Sequence, residues 1–116
     1  MTKANDSLKH FTGTEVWYKD LLTGFQYTEG IKELADMCEA YWLLDLVFSH
    51  QNIDKVAEES FQVWELKRQS GDIFNVVAND GNGHVIASQQ IPYSDFPYDS
   101  AVVWMVHEIL LLPSEY

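Results

Sequence analysis

The sequence predicts an α+β fold: a single domain with an antiparallel three- to four-stranded sheet, Phe61 to Leu112, and one long helix, about residues 28–49, packed across one face. Three observations predict it. Apolar residues recur at helical intervals after Thr28, the stretch after Ser60 is rich in β-formers, and two turn signals punctuate that second half. With 116 residues, 47% of them apolar and 14% aromatic, the chain has material for one core. A domain of this size buries roughly two-thirds of the surface its unfolded chain exposes.

In chain order, a polar tail of about residues 1–7 runs into a short helical or turn segment, Asp6 to Phe11, ended by Gly13. Thr14 to Tyr18 reads as a short strand or an extended stretch. Thr28 suits an N-cap and Glu29 the positive end of a helix dipole. Ile31, Leu34, Ala35, Cys38, Tyr41, Trp42 and Phe48 then follow the helical period, with Lys32, Glu33, Asp36 and Glu39 on the other side. From Ala40 onward nearly every position is apolar, which calls for protein on most sides. Ile53 to Glu59 reads as a second short helical segment capped by Asn52.

Phe61 to Lys67 reads as a strand whose polar positions are Gln62, Glu65 and Lys67, with Trp64 breaking the alternation. Ser70-Gly71-Asp72 is a turn, and Phe74, Val76 and Ala78 share a face of the next strand. Asn79 to Gly83 is a hairpin loop, because Gly and Asn accept the positive φ it demands. His84 to Ile91 returns, and Ile91 to Ser100, with its prolines and aromatics, is a loop. Val102 to Leu112 is apolar on both faces except at His107-Glu108. A strand is favoured there, with His107-Glu108 a bulge or a two-residue turn, and a helix capped by Asp99 or Ser100 is the alternative. The second apolar face of that strand needs a cover, either the N-terminal segment or another chain, so a homodimer is one of two solutions.

Eighteen acids against seven bases give a formal net charge of −11. All seven bases precede residue 69, while Asp72, Asp80, Asp95, Asp99, Glu108 and Glu115 follow it uncompensated. That sign argues against direct nucleic-acid binding and against a polybasic membrane adhesin, both of which need Lys and Arg to neutralise phosphate. Cys38 is the single cysteine, so no intrachain disulfide forms. The N-terminus lacks the apolar stretch of a secretory signal, and the longest apolar stretch, Ala40 to Phe48, falls well short of a membrane span of about 20 residues. A soluble, cytoplasmic protein is expected.

Three stretches carry a likeness: Tyr27 to Val47 (YTEGIKELADMCEAYWLLDLV), Phe61 to Lys67 (FQVWELK) and Ile109 to Tyr116 (ILLLPSEY). Together they resemble a family of small bacterial and mobile-element proteins known as a domain of unknown function. Its marks are a Tyr-Thr-acid-Gly helix start, a Tyr-Trp-Leu-Leu helix centre, a Phe-Gln-x-Trp strand, an Asp-Phe-Pro loop and a Leu-Leu-Pro-Ser-Glu-Tyr end. The resemblance spans about Leu8 to Tyr116. It implies a phage or plasmid setting, and with it a role in host–parasite conflict, but no activity, cofactor or catalytic residue.

Chemistry has few candidates. Cys38 lies on an apolar helix face, with no base beside it to lower its pKa, and reads as a small buried hydrophobe. His10, His50, His84 and His107 share no metal-ligand spacing. The stretch from Asp80 resembles the start of a calcium loop but has His84 and Ile91 where ligands belong, so turn chemistry accounts for it. Asp45 interrupts the apolar half of the helix and must find a hydrogen-bond partner or water; the sharper reading makes it a proton acceptor in a pocket with His50. The aromatic and acidic residues Tyr93, Asp95, Phe96, Tyr98, Asp99, Glu108, Glu115 and Tyr116 resemble a recognition surface. For the loop and tail, the competing account is a segment stapled to the sheet by its rings.

The reading that follows is a non-enzymatic protein-interaction module, with no catalytic residue, cofactor or metal and an unidentified protein partner. The first alternative is an acidic mimic of nucleic acid that blocks a host defence protein of the CRISPR or restriction type, with binding that weakens in salt. The second is a small enzyme using Asp45, His50 or His107.

Overall fold

The computed structural model describes residues 2–12 and 16–116. A 3₁₀ turn (η1, Ala4–Leu8) precedes a short hairpin of β1 (Trp17–Lys19) and β2 (Gln26–Thr28). Three helices follow, α1 (Glu29–Cys38), α2 (Tyr41–His50) and α3 (Asp54–Ala57). Then come β3 (Phe61–Ser70), β4 (Ile73–Asn79), β5 (Val85–Ile91), β6 (Ser100–Val106) and β7 (Ile109–Leu111), and a final 3₁₀ turn (η2, Pro113–Glu115). The strands form one sheet in the order β1-β2-β7-β6-β3-β4-β5. Every pairing is antiparallel except β2 with β7, which is parallel.

Two expectations are overturned. The sheet has seven strands and is mixed, where three or four antiparallel strands were expected, and the single helix over residues 28–49 is two helices. The helix breaks at Glu39, in the left-handed region at φ 51°, and at Ala40. The reason lies in phase. At about 100° per residue, the buried set of α1 (Ile31, Leu34, Ala35, Cys38) and that of α2 (Leu43, Leu44, Val47, Phe48) lie about half a turn apart on a continuous helix. A straight rod would turn one set to solvent; the break lets both join a single core. Thr28 does cap α1, its Oγ1 accepting from the Ile31 N–H at 3.3 Å. Asn52 does not cap α3, whose N-cap position is Ile53.

The added strands are short and owe their existence to neighbours. β1 begins at Trp17 within the expected Thr14–Tyr18 stretch, of which Thr14 and Glu15 lie outside the described residues, as does Gly13, the expected end of the preceding segment. The apolar run Val102–Leu112 is divided by a two-residue turn, His107-Glu108, which pairs Val106 with Ile109 and sets His107 at φ 57°. At the other end of β3, Gly71 at φ 53° makes the equally tight turn that pairs Ser70 with Ile73.

All three helices and η1 send buried residues into one core with Trp64, Leu66, Phe74, Val76, Val103, Met105 and Leu110, so the helical layer covers one face of the sheet. In strand β3 the polar Gln62 and the alternation-breaking Trp64 share the core face. Gln62 is 1% exposed and Trp64 2%, while Phe61 and Val63 turn to the other face. The buried amide is tolerated because it is saturated. Gln62 Oε1 accepts from Gln51 Nε2 and Trp64 Nε1, and its two Nε2 hydrogens are shared among three acceptors, Gln51 Oε1 and the carbonyls of Val56 and Glu59.

The chain ends are sewn in. The Asn5 side-chain amide bonds both the N–H and C=O of Val102, as a neighbouring strand would. At the far end, Glu115 Oε1 accepts from Thr28 Oγ1 (2.6 Å) and the Leu112 N–H (3.0 Å), and Oε2 from the Gly30 N–H (3.2 Å). A carboxylate thus sits on the positive end of α1. Gly30 makes the approach feasible, since a Cβ there would lie 2.6 Å from Glu115 Oε1 and 2.7 Å from Leu112 Cδ1.

Two expected outcomes follow for chemical denaturation. Gly30→Ala, which helix propensity alone would favour by up to about 1 kcal/mol, should instead cost about 1–3 kcal/mol through overpacking against the tail. Glu39→Gly should stabilise by about 1 kcal/mol, because glycine adopts the left-handed conformation without a Cβ penalty.

Candidate functional site

The helices leave the second face of the sheet open. Residues of β3, β4, β6 and β7 that point there by register, Phe61, Val63, Val77, Val102, Trp104, Val106 and Ile109, are all half-buried and form a contiguous apolar field. At its centre three rings meet edge to face: Phe61 on Trp104 at 5.0 Å, Trp104 on Tyr116 at 5.4 Å and Phe61 on Tyr116 at 5.8 Å. The C-terminal turn brings Tyr116 there, 72% exposed. Beside the rings, η1 and η2 wall a groove of about 380 Å³. Val102, Trp104 and Pro113 give it an apolar lining, and Lys3, Asp6, Lys9 and Glu65 add charges of both signs. Lys9 and Asp6 are paired at 3.4 Å.

A second, polar cleft of about 650 Å³ opens at the end of the sheet, between the β1–β2 hairpin, the α3 segment and the His107-Glu108 turn. Lys19, Glu58, Glu59, His107 and Glu108 line it. Backbone bonds hold the turn, His107 N–H to Ser60 C=O (2.8 Å) and Gln26 N–H to Glu108 C=O (2.9 Å). Among the described residues, no three His, Cys, Asp or Glu side chains converge as a metal site would require. Nor is any described helix long and apolar enough to cross a membrane.

Residues 2–116 match a family described as a family of unknown function, DUF6876. The chain belongs to that family. Searches of the curated proteins and of the solved structures return no match.

In this DUF6876 member the residues singled out from sequence scatter. Tyr93 and Asp95 are exposed at the end of the sheet beside the β3–β4 turn, where the Ser94 N–H bonds the Asp72 carbonyl. Phe96, 2% exposed, is core, edge-on to Phe74. The Tyr98 hydroxyl shares a hydrogen bond with Ser7 Oγ. Glu108 is exposed at the opposite end of the sheet, and Glu115 is the carboxylate seated on the N-terminus of α1, bonded to its cap Thr28. Only Tyr116 reaches the open face. Its ring partners are Phe61 and Trp104; the second apolar face of Val102–Leu112 was the signal for the β6 side of the field, while Phe61 and Val63 on β3 were not singled out.

The proposed chemistry does not converge either. Asp45 is simply exposed on α2 and needs no buried partner. His50 Nδ1 lies 2.9 Å from the Leu46 carbonyl, with its ring edge-on to Trp64. His107 sits in the polar cleft, and among the described residues no hydrogen bond joins any two of the three. Burial pushes the Cys38 thiol up to about 11, the wrong direction for a nucleophile. Asp80 accepts from the Asn82 and His84 N–H groups and pairs with His84 Nδ1 at 2.9 Å, which is the loop's own turn chemistry.

Asp99 has a structural partner set. It accepts from the Thr2 N–H (2.9 Å), Arg68 Nε (3.0 Å) and Thr2 Oγ1 (3.1 Å), and these bonds hold its carboxyl below the ordinary 3.8. A depressed folded-state pKa contributes stability that is present above the unfolded value and lost as pH falls through the folded one. Asp99→Asn should therefore lower the melting temperature at pH 7, and the gap to the native chain should close as pH drops below about 3.8. Thermal melts across that window check it.

Proposed function

We propose that the protein is a non-catalytic binding module whose open sheet face receives a protein partner. The observation that carries this reading is the ring cluster of half-buried Phe61 and Trp104 with exposed Tyr116, beside an apolar groove. Aromatic anchors next to a concavity are the usual centre of a protein interface. A segment bearing an apolar or aromatic side chain fits best, seated over Trp104 with its polar flanks against Lys3 and Glu65.

The nucleic-acid mimic finds less support. Antiparallel pairing sends Asp72, Asp95 and Asp99 to one end of the sheet and Asp80 and Glu108 to the other, so the acids of the cation-free segment are divided between opposite ends. The enzyme reading finds less still, because none of the titratable side chains of the polar cleft is hydrogen-bonded to another among the described residues.

Immobilised native protein should retain a defined set of proteins from a bacterial lysate in both low and high salt. Trp104→Ala and Tyr116→Ala, checked for native circular dichroism, should lose them, and Asp95→Ala should not. Retention independent of Trp104 and abolished by salt would instead favour the acidic mimic.

A further inference from the structure

We infer that the chain pairs with a second copy of itself along β1, antiparallel, with Tyr18 on the two-fold axis, joining the two sheets edge to edge. Among the described residues β1 has a strand on one side only. The two edges of the sheet differ in kind. Strand β5 presents exposed Ser88, Gln89 and Gln90, with Val85 (55% exposed) its one exposed large apolar residue, and is followed by Pro92, a residue that keeps an edge from pairing. The β1 hairpin instead carries Val16 at 46% exposure, Trp17 at 52%, Leu21 at 94% and Leu22 at 95%.

These leucines are displayed by an ordered turn. The Asp20 carboxylate accepts from both the N–H and the Oγ1 of Thr23, the Gly24 N–H bonds the Asp20 carbonyl, and Phe25 anchors the hairpin by stacking on Phe48 at 5.4 Å. The four residues expose roughly 500 Å² per copy, so their complete burial in two copies amounts to about 1,000 Å², the lower bound of a specific interface.

The register follows from the backbone. The Asp20 N–H bonds the Phe25 carbonyl, so Asp20–Phe25 is a bonded pair, and bonded and non-bonded pairs alternate along an antiparallel ladder. Lys19 and Trp17 therefore direct their N–H and C=O groups away from β2. Gln26, opposite Lys19, accordingly gives its own N–H to Glu108 on the far side. A two-fold axis through Tyr18 sets Trp17 of each copy opposite Lys19 of the other, satisfying these outward groups and laying an ammonium over an indole on the open-face side. An axis through Lys19 would oppose like charges. Tyr18, stacked on Tyr27 with Lys32 above it, then meets its own counterpart on the helical side. Each copy carries −11, so contact must fall where acids are sparse; Trp17 to Leu22 holds one lysine and one aspartate, and that aspartate is turned into the hairpin.

Sedimentation equilibrium of the full chain, with native circular dichroism as the folding control, decides the question. The native chain should dimerise at about 100 μM or below. Lys19→Pro, which removes an outward donor, and the pair Leu21→Glu with Leu22→Glu should each weaken association at least tenfold. Mild oxidation of Tyr18→Cys should give a covalent dimer, because facing residues of a non-bonded pair have Cα atoms about 4.5 Å apart. A native monomer at 100 μM overturns the proposal, as does a dimer that both sets of substitutions leave intact. Neither result bears on partner binding at Trp104.

Discussion

The fold closes on one contact, the Glu115 carboxylate seated on the N-terminus of α1. It exists because β2 and β7 run parallel side by side, so the chain leaves both in the same direction. β2 continues into α1 and β7 into the final turn, which places the helix start and the chain terminus within hydrogen-bonding reach. The first and last thirds of the chain are thereby joined through charge-assisted bonds, which are stronger than neutral ones. A glycine at position 30 is the geometric condition for that contact, and the helix-propensity cost of glycine is the consequence.

A second junction works on the same principle at the other end of the helical layer. The reciprocal amide pair of Gln51 and Gln62 ties the end of α2 to the interior strand β3, with Trp64 and two carbonyls completing the set. Buried polar groups of this kind are stable only when every donor and acceptor is used. Two of the sequence stretches that carry the family resemblance meet at the Glu115 contact, and the third supplies Gln62 and Trp64. Their residues hold the architecture, and what remains for recognition is the surface they leave uncovered.

That surface is unequal on the two sides of the sheet. One face is filled by α1, α2 and η1, and the other keeps its apolar field half exposed, with the terminal tyrosine laid across it. The acids decorate the helices and both ends of the sheet, whereas the open face carries Glu65, Lys67 and, at its β1 edge, Lys19 as its strand charges. Charge repulsion within a −11 chain is thus kept away from the one broad area suited to contact.

Local signals were legible where a few neighbouring residues settle the matter. The Thr28 cap, the Ser70-Gly71-Asp72 and Asn79–Gly83 turns and strands β3 to β5 depend on backbone preferences and alternation within a handful of positions. The helix break at Glu39 was legible in principle, as a half-turn jump of the apolar stripe, but Glu39 itself is a good helix former and conceals it. Strands β1, β2 and β7, three residues each, carry too little periodicity to be read alone. For the same reason Gln62 read only as a polar strand position and Glu115 as an interface residue, since a polar side chain in a sequence does not disclose its partners. The chain by itself determined the α+β composition, the turns and the charge balance. Only the tertiary structure decided which strands pair, which polar groups are buried and which apolar face stays open, because those follow from contacts between residues far apart in sequence.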